Sequence, residues 1–270
     1  MNSEIINSKY SNLEFLVNNF NQNKPFPHVV LDDFLSPEFF SLIALSKSEI
    51  AKESSGKKFS SDLEKNKWVS KNTELPNNLK ILIDFLNSDK WILNLSKLTK
   101  IENIFSTKVG NTKLANYHEM KNDGYLGPHV DHSDDPDTGY PHVLNLLLYL
   151  SSDWKDDWGG STLLFDNKGK RILNEIKYKP NRAIIFLHTP YSFHGVKKIK
   201  AENNIRSSVY VDYYANSKNP YKNINLDFPN KWFSHGTSFI LPSFFDYLKP
   251  KNFKYTKTYL KYSINKIIGG

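Results

Sequence analysis

The chain has 270 residues, a net charge of +8 and no cysteine. This length allows a large buried core, and the lack of cysteine excludes disulfide frameworks, zinc–thiolate sites and cysteine nucleophiles. Only Arg171, Arg182 and Arg206 are arginines. Because nucleic-acid recognition usually relies on arginine, we expect the lysines to be solvated surface and expect no nucleic-acid partner. Apolar runs such as residues 146–150 are too short to span a bilayer, and residues 1–9 do not have the pattern of a secretion signal. The sequence therefore predicts a cytoplasmic protein.

The first hundred residues are predicted to be mainly helical. Ser36 followed by Pro37 is typical of a helix start, because serine caps the helix and proline fits its first turn. Residues 25–31 before it are predicted to be extended. A second helical region is predicted over residues 77–98, where leucine and isoleucine recur at near-helical spacing. The polar residues 52–76 are predicted to form a mobile loop.

Beyond residue 110, short β-prone runs separated by turn signals replace the helical pattern. These runs are residues 112–117, 143–150, 161–165, 182–187, 193–196 and 205–214. Strands without intervening helices predict a sandwich or barrel, with the early helices packed outside it.

We divide the chain into a helical support region at 1–109, a β core at 110–215 and a basic, aromatic extension at 216–270, all within one structural domain. Short helices are predicted in the extension at 244–248 and 259–268. The extension could close a pocket, mediate dimerisation or pack on the core, and packing is our prediction for it.

The run at 143–150 predicts a strand with two different faces, because successive side chains of a strand point to opposite sides. One face carries only leucine, and the other carries Val143, Asn145, Leu147 and Tyr149. We expect the leucine face to bury against helices. The mixed face suits the wall of a pocket, although an ordinary half-exposed strand would show the same pattern.

Three side chains are candidates for a metal site. His129 and Asp131 are two residues apart, which places an imidazole and a carboxylate on one side of an extended segment. His194 supplies a second imidazole. Two histidines and one carboxylate with open positions opposite suit non-haem Fe(II), and three such ligands would also suit zinc in a hydrolase.

Arg206 follows His194 by twelve residues and shares a strand face with Ser208. A guanidinium binds a carboxylate through two parallel hydrogen bonds and is always charged. Arg206 is therefore a candidate for binding the far end of a dicarboxylate cosubstrate, and the alternative is a surface arginine in a strand.

The order of these motifs resembles the prolyl 4-hydroxylase-like group of Fe(II)- and 2-oxoglutarate-dependent oxygenases. The motifs are His129-x-Asp131, YLSSDW at 149–154, WGGSTLLF at 158–165, His194 and Arg206-x-Ser208. The resemblance covers about residues 110–215, and residues 149–165 are especially similar to the oxygen-sensing prolyl hydroxylases of animals and their bacterial relatives.

The resemblance implies a double-stranded β-helix, a distorted, cupin-like jelly roll with the metal at its mouth. It implies that His129, Asp131 and His194 are the iron ligands and the catalytic centre. It also implies 2-oxoglutarate as cosubstrate, with ascorbate as a candidate reductant. The residues expected to contact the cosubstrate are Arg206, Tyr149, Ser208, Tyr117 and Asn145.

The expected reaction is hydroxylation of a C–H bond, because an aspartate at 131 leaves no room for the halide of a halogenase. We expect a small-molecule substrate such as a sugar or amino-acid derivative, and a prolyl-type protein hydroxylase is the alternative. A zinc-dependent hydrolase and a non-catalytic jelly-roll binding module are further hypotheses. The oligomeric state is left open by the sequence.

Overall fold

The protein is described by a computed structural model. It describes residues 4–46, 50, 56–107, 116–135, 137–217, 219–224, 238–240 and 260. The helices are α1 (Val17–Gln22), α2 (Pro37–Ser46), α3 (Asn77–Leu86) and α4 (Asp89–Thr99). The strands are β1 (His28–Leu31), β2 (Lys57–Phe59), β3 (Glu64–Ser70), β4 (Ile104–Ser106), β5 (Tyr117–Val130), β6 (His142–Tyr149), β7 (Thr162–Phe165), β8 (Ile172–Ile176), β9 (Ala183–Leu187), β10 (His194–Val196), β11 (Arg206–Ala215) and β12 (Ser238–Phe239). Within these described residues, no helix has the length and apolarity that a membrane crossing requires.

The strands form one antiparallel sheet with the order β1-β9-β6-β11-β5-β10-β7-β8. Strand β5 is also hydrogen-bonded to β3 and β12, while β4 adds to β11 and β2 to β3. Strand β10 lies between β5 and β7, so it becomes a neighbour of β5 although the two strands are far apart in the sequence. This curled antiparallel arrangement confirms the prediction of a mainly β fold.

The two faces of β6 bury against different partners. Its leucine side chains at 144, 146 and 148 lie, with Leu150, in an apolar core that also contains the buried faces of α2, α3 and α4. Leu147 and Tyr149 lie in a second, inner core on the other side of the sheet. The prediction that the leucine face buries against helices is therefore confirmed, and the other face of β6 is buried as well.

The predicted helical region at 77–98 consists of two helices. Ser88 separates them, because its side chain accepts a hydrogen bond from the backbone N–H of Trp91 and so caps the start of α4. Leu79, Leu82 and Leu86 form the buried side of α3. The near-helical spacing therefore predicted helical structure correctly, but it did not show that Ser88 divides the segment into two helices.

The prediction of a mobile loop at 52–76 is wrong where the chain is described. Residues 57–59 and 64–70 form the hairpin of β2 and β3, and β3 pairs along β5 from Glu64 to Ser70. Lysine and asparagine are poor strand formers, so this hairpin is ordered by pairing with β5 rather than by its own apolar pattern. Strands β4 and β8 were likewise not predicted.

Two predictions fall mainly outside the described residues. The strand predicted at 112–117 is described only at its end, where Tyr117 begins β5. The helices predicted at 244–248 and 259–268 lie outside the described part of the chain, apart from residue 260. Residues 238–240 do pack on the core, because β12 pairs with the end of β5.

Candidate active site

Strands β5 and β10 bring the predicted metal ligands together. His129 lies directly opposite His194 in the register of the two strands, and Asp131 lies immediately beyond the end of β5. The His129 Nε2 and Asp131 Oδ1 atoms are 3.5 Å apart, and His194 Nε2 lies 3.3 Å from Asp131 Oδ2. One ligand atom from each residue lies within 4.8 Å of the others. This spacing allows all three side chains to contact one metal ion.

Backbone carbonyls orient both imidazole rings. Nδ1 of His129 lies 2.9 Å from the carbonyl oxygen of Gly127, and Nδ1 of His194 lies 3.0 Å from that of Ser192. A carbonyl only accepts hydrogen bonds, so each Nδ1 carries the proton and donates it. The lone pair of each Nε2 is then free and faces Asp131, which is the tautomer that a metal ligand requires.

The carboxyl group of Asp131 is ionised between the two imidazoles. Burial would raise the pKa of Asp131, but the facing His194 and His129 rings hold it well below its ordinary value. Burial would lower the pKa of His194, and the Asp131 carboxylate raises it above its ordinary value instead. An ionised carboxylate beside two histidines is a donor set that fits a divalent cation, either Fe(II) or zinc.

A second layer of polar groups orients Asp131. Tyr210 donates a 2.5 Å hydrogen bond to Asp131 Oδ2, and Asn145 Nδ2 lies 3.2 Å from the same oxygen. Asn145 thus contacts the predicted metal ligand, and the cosubstrate contact expected for it stays a prediction. Tyr210 was not predicted, although its position two residues after Ser208 on an alternating strand places it on the same face.

Aromatic rings enclose the two histidines. The Phe186 ring of β9 lies 4.9 Å from the ring of His194. The Phe239 ring of β12 lies 5.3 Å from that of His129. His129 is 3% exposed and His194 is 6% exposed, so water reaches the metal ligands only from a limited side. The C-terminal segment therefore contributes a wall of the site.

Arg206 is buried in the inner core with only part of its hydrogen-bonding capacity used. Its guanidinium carbon lies 5.1 Å from the centre of the Tyr149 ring and 5.4 Å from that of Tyr178. Its Nε donates to the carbonyl of Gly160 at 2.8 Å, and Nη1 lies 3.4 Å from Ser208 Oγ. Within the described part of the chain, the buried Nη2 has no hydrogen-bond partner. The structure therefore brings Arg206, Tyr149 and Ser208 together, as predicted.

Gly160 permits the close approach of Arg206. Its φ is +73°, which side chains rarely adopt, and an added Cβ would lie 3.1 Å from Arg206 Cδ. Thr162 follows on β7, and its hydroxyl lies 2.6 Å from the Tyr149 hydroxyl. The glycine turn thus lets the backbone fix the guanidinium, while β7 fixes the tyrosine beneath it.

Tyr117 is not brought to this site. It is fully buried in the outer, helix-facing core, where it donates to Glu119 at 2.9 Å and packs edge-on against Trp68. Its neighbour His118 pairs with Ser208 across the strands and stacks on Tyr210 with ring centres 5.9 Å apart. Because adjacent residues of a strand face opposite sides, the pocket receives His118, and we leave Tyr117 out of the proposed site.

The sequence of this region matches a known family. Residues 112–211 match the model of the 2OG-Fe(II) oxygenase superfamily. Residues 112–211 therefore have the sequence of a 2OG-Fe(II) oxygenase domain. This finding confirms the predicted enzyme class and, at the level of the family, the predicted use of Fe(II) and 2-oxoglutarate. The expectation for ascorbate stays a prediction.

Solved structures of oxygenases have the same fold. One is a prolyl hydroxylase from Trichoplax adhaerens in complex with a hypoxia inducible factor peptide fragment, with 19% identity, a TM-score of 0.53 and coverage of 76% of this chain and 90% of that chain. Another is a Pseudomonas putida prolyl-4-hydroxylase, with 14% identity, a TM-score of 0.52 and coverage of 76% and 100%. A third is SnoN, an alpha ketoglutarate dependent epimerase from nogalamycin biosynthesis, with 10% identity, a TM-score of 0.52 and coverage of 75% and 83%. At these identities the likeness shows the fold alone, and it confirms the double-stranded β-helix. No curated protein sequence matches the chain.

Proposed function

We propose that this oxygenase domain holds Fe(II) through His129, Asp131 and His194 and binds the distal carboxylate of 2-oxoglutarate at Arg206. The observation that carries the proposal is the unpartnered Nη2 of Arg206, a residue that is only 2% exposed. A buried donor without a hydrogen-bond partner costs about 1–3 kcal/mol. A carboxylate that pairs with this guanidinium offsets that cost, which makes a dicarboxylate the fitting ligand.

Each neighbouring group has a defined part in binding. The Tyr149 hydroxyl and Ser208 Oγ lie beside the guanidinium and are available to hydrogen-bond the same carboxylate. The carbonyl contacts of the two histidines keep their Nε2 lone pairs directed at the metal. When bound, iron and 2-oxoglutarate together supply the activation of dioxygen that oxidises a substrate C–H bond. The protein binds and orients these groups and restricts the access of water to them.

We propose a small-molecule substrate, for which a sugar or amino-acid derivative is the expected class. A peptide substrate needs a long open groove, whereas a metabolite needs an enclosed pocket. Phe239 packs over His129 and is itself only 8% exposed, so β12 narrows the approach to the metal ligands. This enclosure supports a small substrate over a protein.

A zinc-dependent hydrolase and a non-catalytic jelly-roll module both have less support. The hydrolase has no use for the buried guanidinium of Arg206, and the binding module has no use for three convergent metal ligands. A family match over residues 112–211 also favours an oxygenase.

Anaerobic titration tests the proposal directly. Adding 2-oxoglutarate to the Fe(II)-loaded protein without dioxygen is expected to produce a weak visible charge-transfer band, because the cosubstrate then chelates the iron. His194→Ala is expected to abolish the band. The proposal is refuted if the wild-type protein gives no band, or if the His194→Ala variant gives the same band at the same concentrations.

A further inference from the structure

Asp212 is an acidic side chain on the inner face of β11. Side chains alternate along this strand, so Asp212 shares its face with Arg206, Ser208 and Tyr210. Tyr210, two residues before it, hydrogen-bonds Asp131. Asp212 therefore points to the same side of the sheet as the proposed metal and cosubstrate groups.

Asp212 lies close to the metal ligands. Asn145 Nδ2 lies 3.2 Å from Asp212 Oδ1 and also 3.2 Å from Asp131 Oδ2. A single amide group therefore bridges the carboxylate of Asp212 and a proposed iron ligand. A substrate group bound at Asp212 would lie beside the metal, where oxidation takes place.

The outer oxygen of Asp212 is available to a ligand. Oδ1 is held by Asn145 and lies 3.3 Å from His142 Nε2. Across the ranges that the structure describes, Oδ2 accepts no hydrogen bond and neither oxygen pairs with a lysine or arginine. The side chain is 24% exposed, so it is partly open to solvent.

Burial outweighs the groups that favour an ionised Asp212, among them His132 and the Asn145 amide. Burial raises the pKa of Asp212 to about 6, so its carboxylate is costly to ionise. The neighbouring imidazole gives little compensation, because burial lowers the pKa of His142 to about 3 and leaves that ring neutral. A cation supplied from outside would remove this imbalance.

We propose that Asp212 determines substrate specificity by binding an ammonium or guanidinium group of a small-molecule substrate. This inference rests on the proposed function, because it places the substrate cation beside the iron held by His129, Asp131 and His194. It narrows the expected substrates to amine-bearing compounds, such as amino acids and amino sugars with a free amino group. Neutral sugars and N-acylated derivatives are excluded.

A paramagnetic probe experiment tests this inference without knowledge of the natural substrate. The protein is loaded with Mn(II) and 2-oxoglutarate, and the relaxation of the protons of n-butylammonium is compared with that of the neutral 1-butanol. We expect the protons of the ammonium to relax faster than those of the alcohol. In Asp212→Asn, the difference between the two relaxation rates should fall about tenfold, as for loss of a charge-assisted hydrogen bond. Asparagine keeps an acceptor for Asn145, and a thermal melt verifies that the variant is folded.

Asp156→Asn is the matched control, because Asp156 is an exposed acid paired with Lys177. It should leave the ammonium preference unchanged. Equal relaxation of the two probes in the wild-type protein overturns the inference, and so does a preference that survives in Asp212→Asn. Failure of the proposed function gives a different result, because Mn(II) and 2-oxoglutarate would then fail to bind at all.

Discussion

Replacing Arg206 with methionine should change the stability of the free protein little and that of the ligand-bound protein strongly. Without cosubstrate, Arg206 makes two hydrogen bonds and leaves Nη2 unpartnered. Losing two hydrogen bonds costs about 2 kcal/mol, whereas removing a buried unsatisfied donor recovers about 1–3 kcal/mol. Methionine fills a similar volume. The free energy of unfolding of the ligand-free protein should therefore change by no more than about 1 kcal/mol.

With cosubstrate the variant should differ strongly. At about 100 times its Kd, 2-oxoglutarate stabilises the metal-loaded wild-type protein by about 2.7 kcal/mol, which raises Tm by about 5–10 °C for a chain of this size. Loss of charge-assisted hydrogen bonds to the guanidinium weakens binding about 100-fold. The same concentration then stabilises the variant by only about 0.4 kcal/mol, or roughly 1 °C.

Thermal unfolding of the Mn(II)-loaded protein, with and without 2-oxoglutarate, measures both quantities. Arg171→Met is the control, because the Arg171 side chain is exposed and pairs with Asp166 rather than with a group of the proposed site. This variant should keep the full rise in Tm that 2-oxoglutarate causes in the wild-type protein. A similar shift in Arg206→Met and in the wild-type protein would refute the assignment of Arg206, and a large loss of ligand-free stability would refute the account of its unpartnered nitrogen.

Three further predictions concern the metal ligands and one surface ion pair. His194→Ala should abolish substrate-independent succinate formation, measured by a coupled assay, because one of three ligands is lost. Tyr210→Phe should weaken Mn(II) binding about tenfold by calorimetry, since groups that orient a ligand such as Asp131 typically contribute this much. Asp32 pairs with Arg182 at 2.5 Å, and this bond lowers its pKa from 3.8 to about 2. Its folded-state pKa is depressed, so the pair stabilises the fold at neutral pH and loses that effect as pH falls from about 4 to about 2. Asp32→Asn should therefore lower the free energy of unfolding by about 1 kcal/mol at neutral pH, a value discounted because Asp32 is 38% exposed. In urea unfolding, the difference between the variant and the wild-type protein should become smaller in acid.

Neighbouring residues provide controls for two of these predictions. Asp33→Asn should leave stability unchanged, because Asp33 is 62% exposed and lies 3.8 Å from its lysine partner. Tyr125→Phe should leave metal affinity unchanged, because its hydroxyl bonds the backbone of Asp62 instead of a metal ligand. A loss of metal affinity in Tyr125→Phe equal to that in Tyr210→Phe would contradict the orienting role of Tyr210. A pH-independent deficit in Asp32→Asn would contradict the ion-pair account.

The residues that the sequence predicted well are those whose role depends on spacing and alternation. His129 and Asp131 are two apart on an extended segment, and Arg206 and Ser208 share a strand face, so their relative orientation follows from local geometry. The leucine face of β6 is a period-two pattern of the same kind. The alternation gave the correct face in each case without tertiary information.

The residues that it predicted poorly depend on pairing between distant segments. Strand β3 is polar and is ordered by its contact with β5, which no local pattern reveals. Tyr117 was predicted from its resemblance to a family tyrosine on the strand before His129, and the strand register places His118 on the inner face instead. A shift of one residue moves a side chain to the opposite face. Asn145 lies on the predicted face of β6, but its contact with Asp131 was not predicted, because β11 separates β6 from β5 in the sheet.

The inner face of β11 arranges the site along a single strand. Arg206 is 2% exposed at one end, Tyr210 contacts a proposed metal ligand in the middle, and the Asp212 side chain is 24% exposed at the other end. At about 3.3 Å per residue, six residues separate the two charges by roughly 20 Å of strand. A cation at the buried end favours the dicarboxylate, and an anion at the open end favours an amine and repels a second carboxylate. One strand can thus direct the cosubstrate and the substrate to opposite sides of the metal, because the two ligands differ in charge.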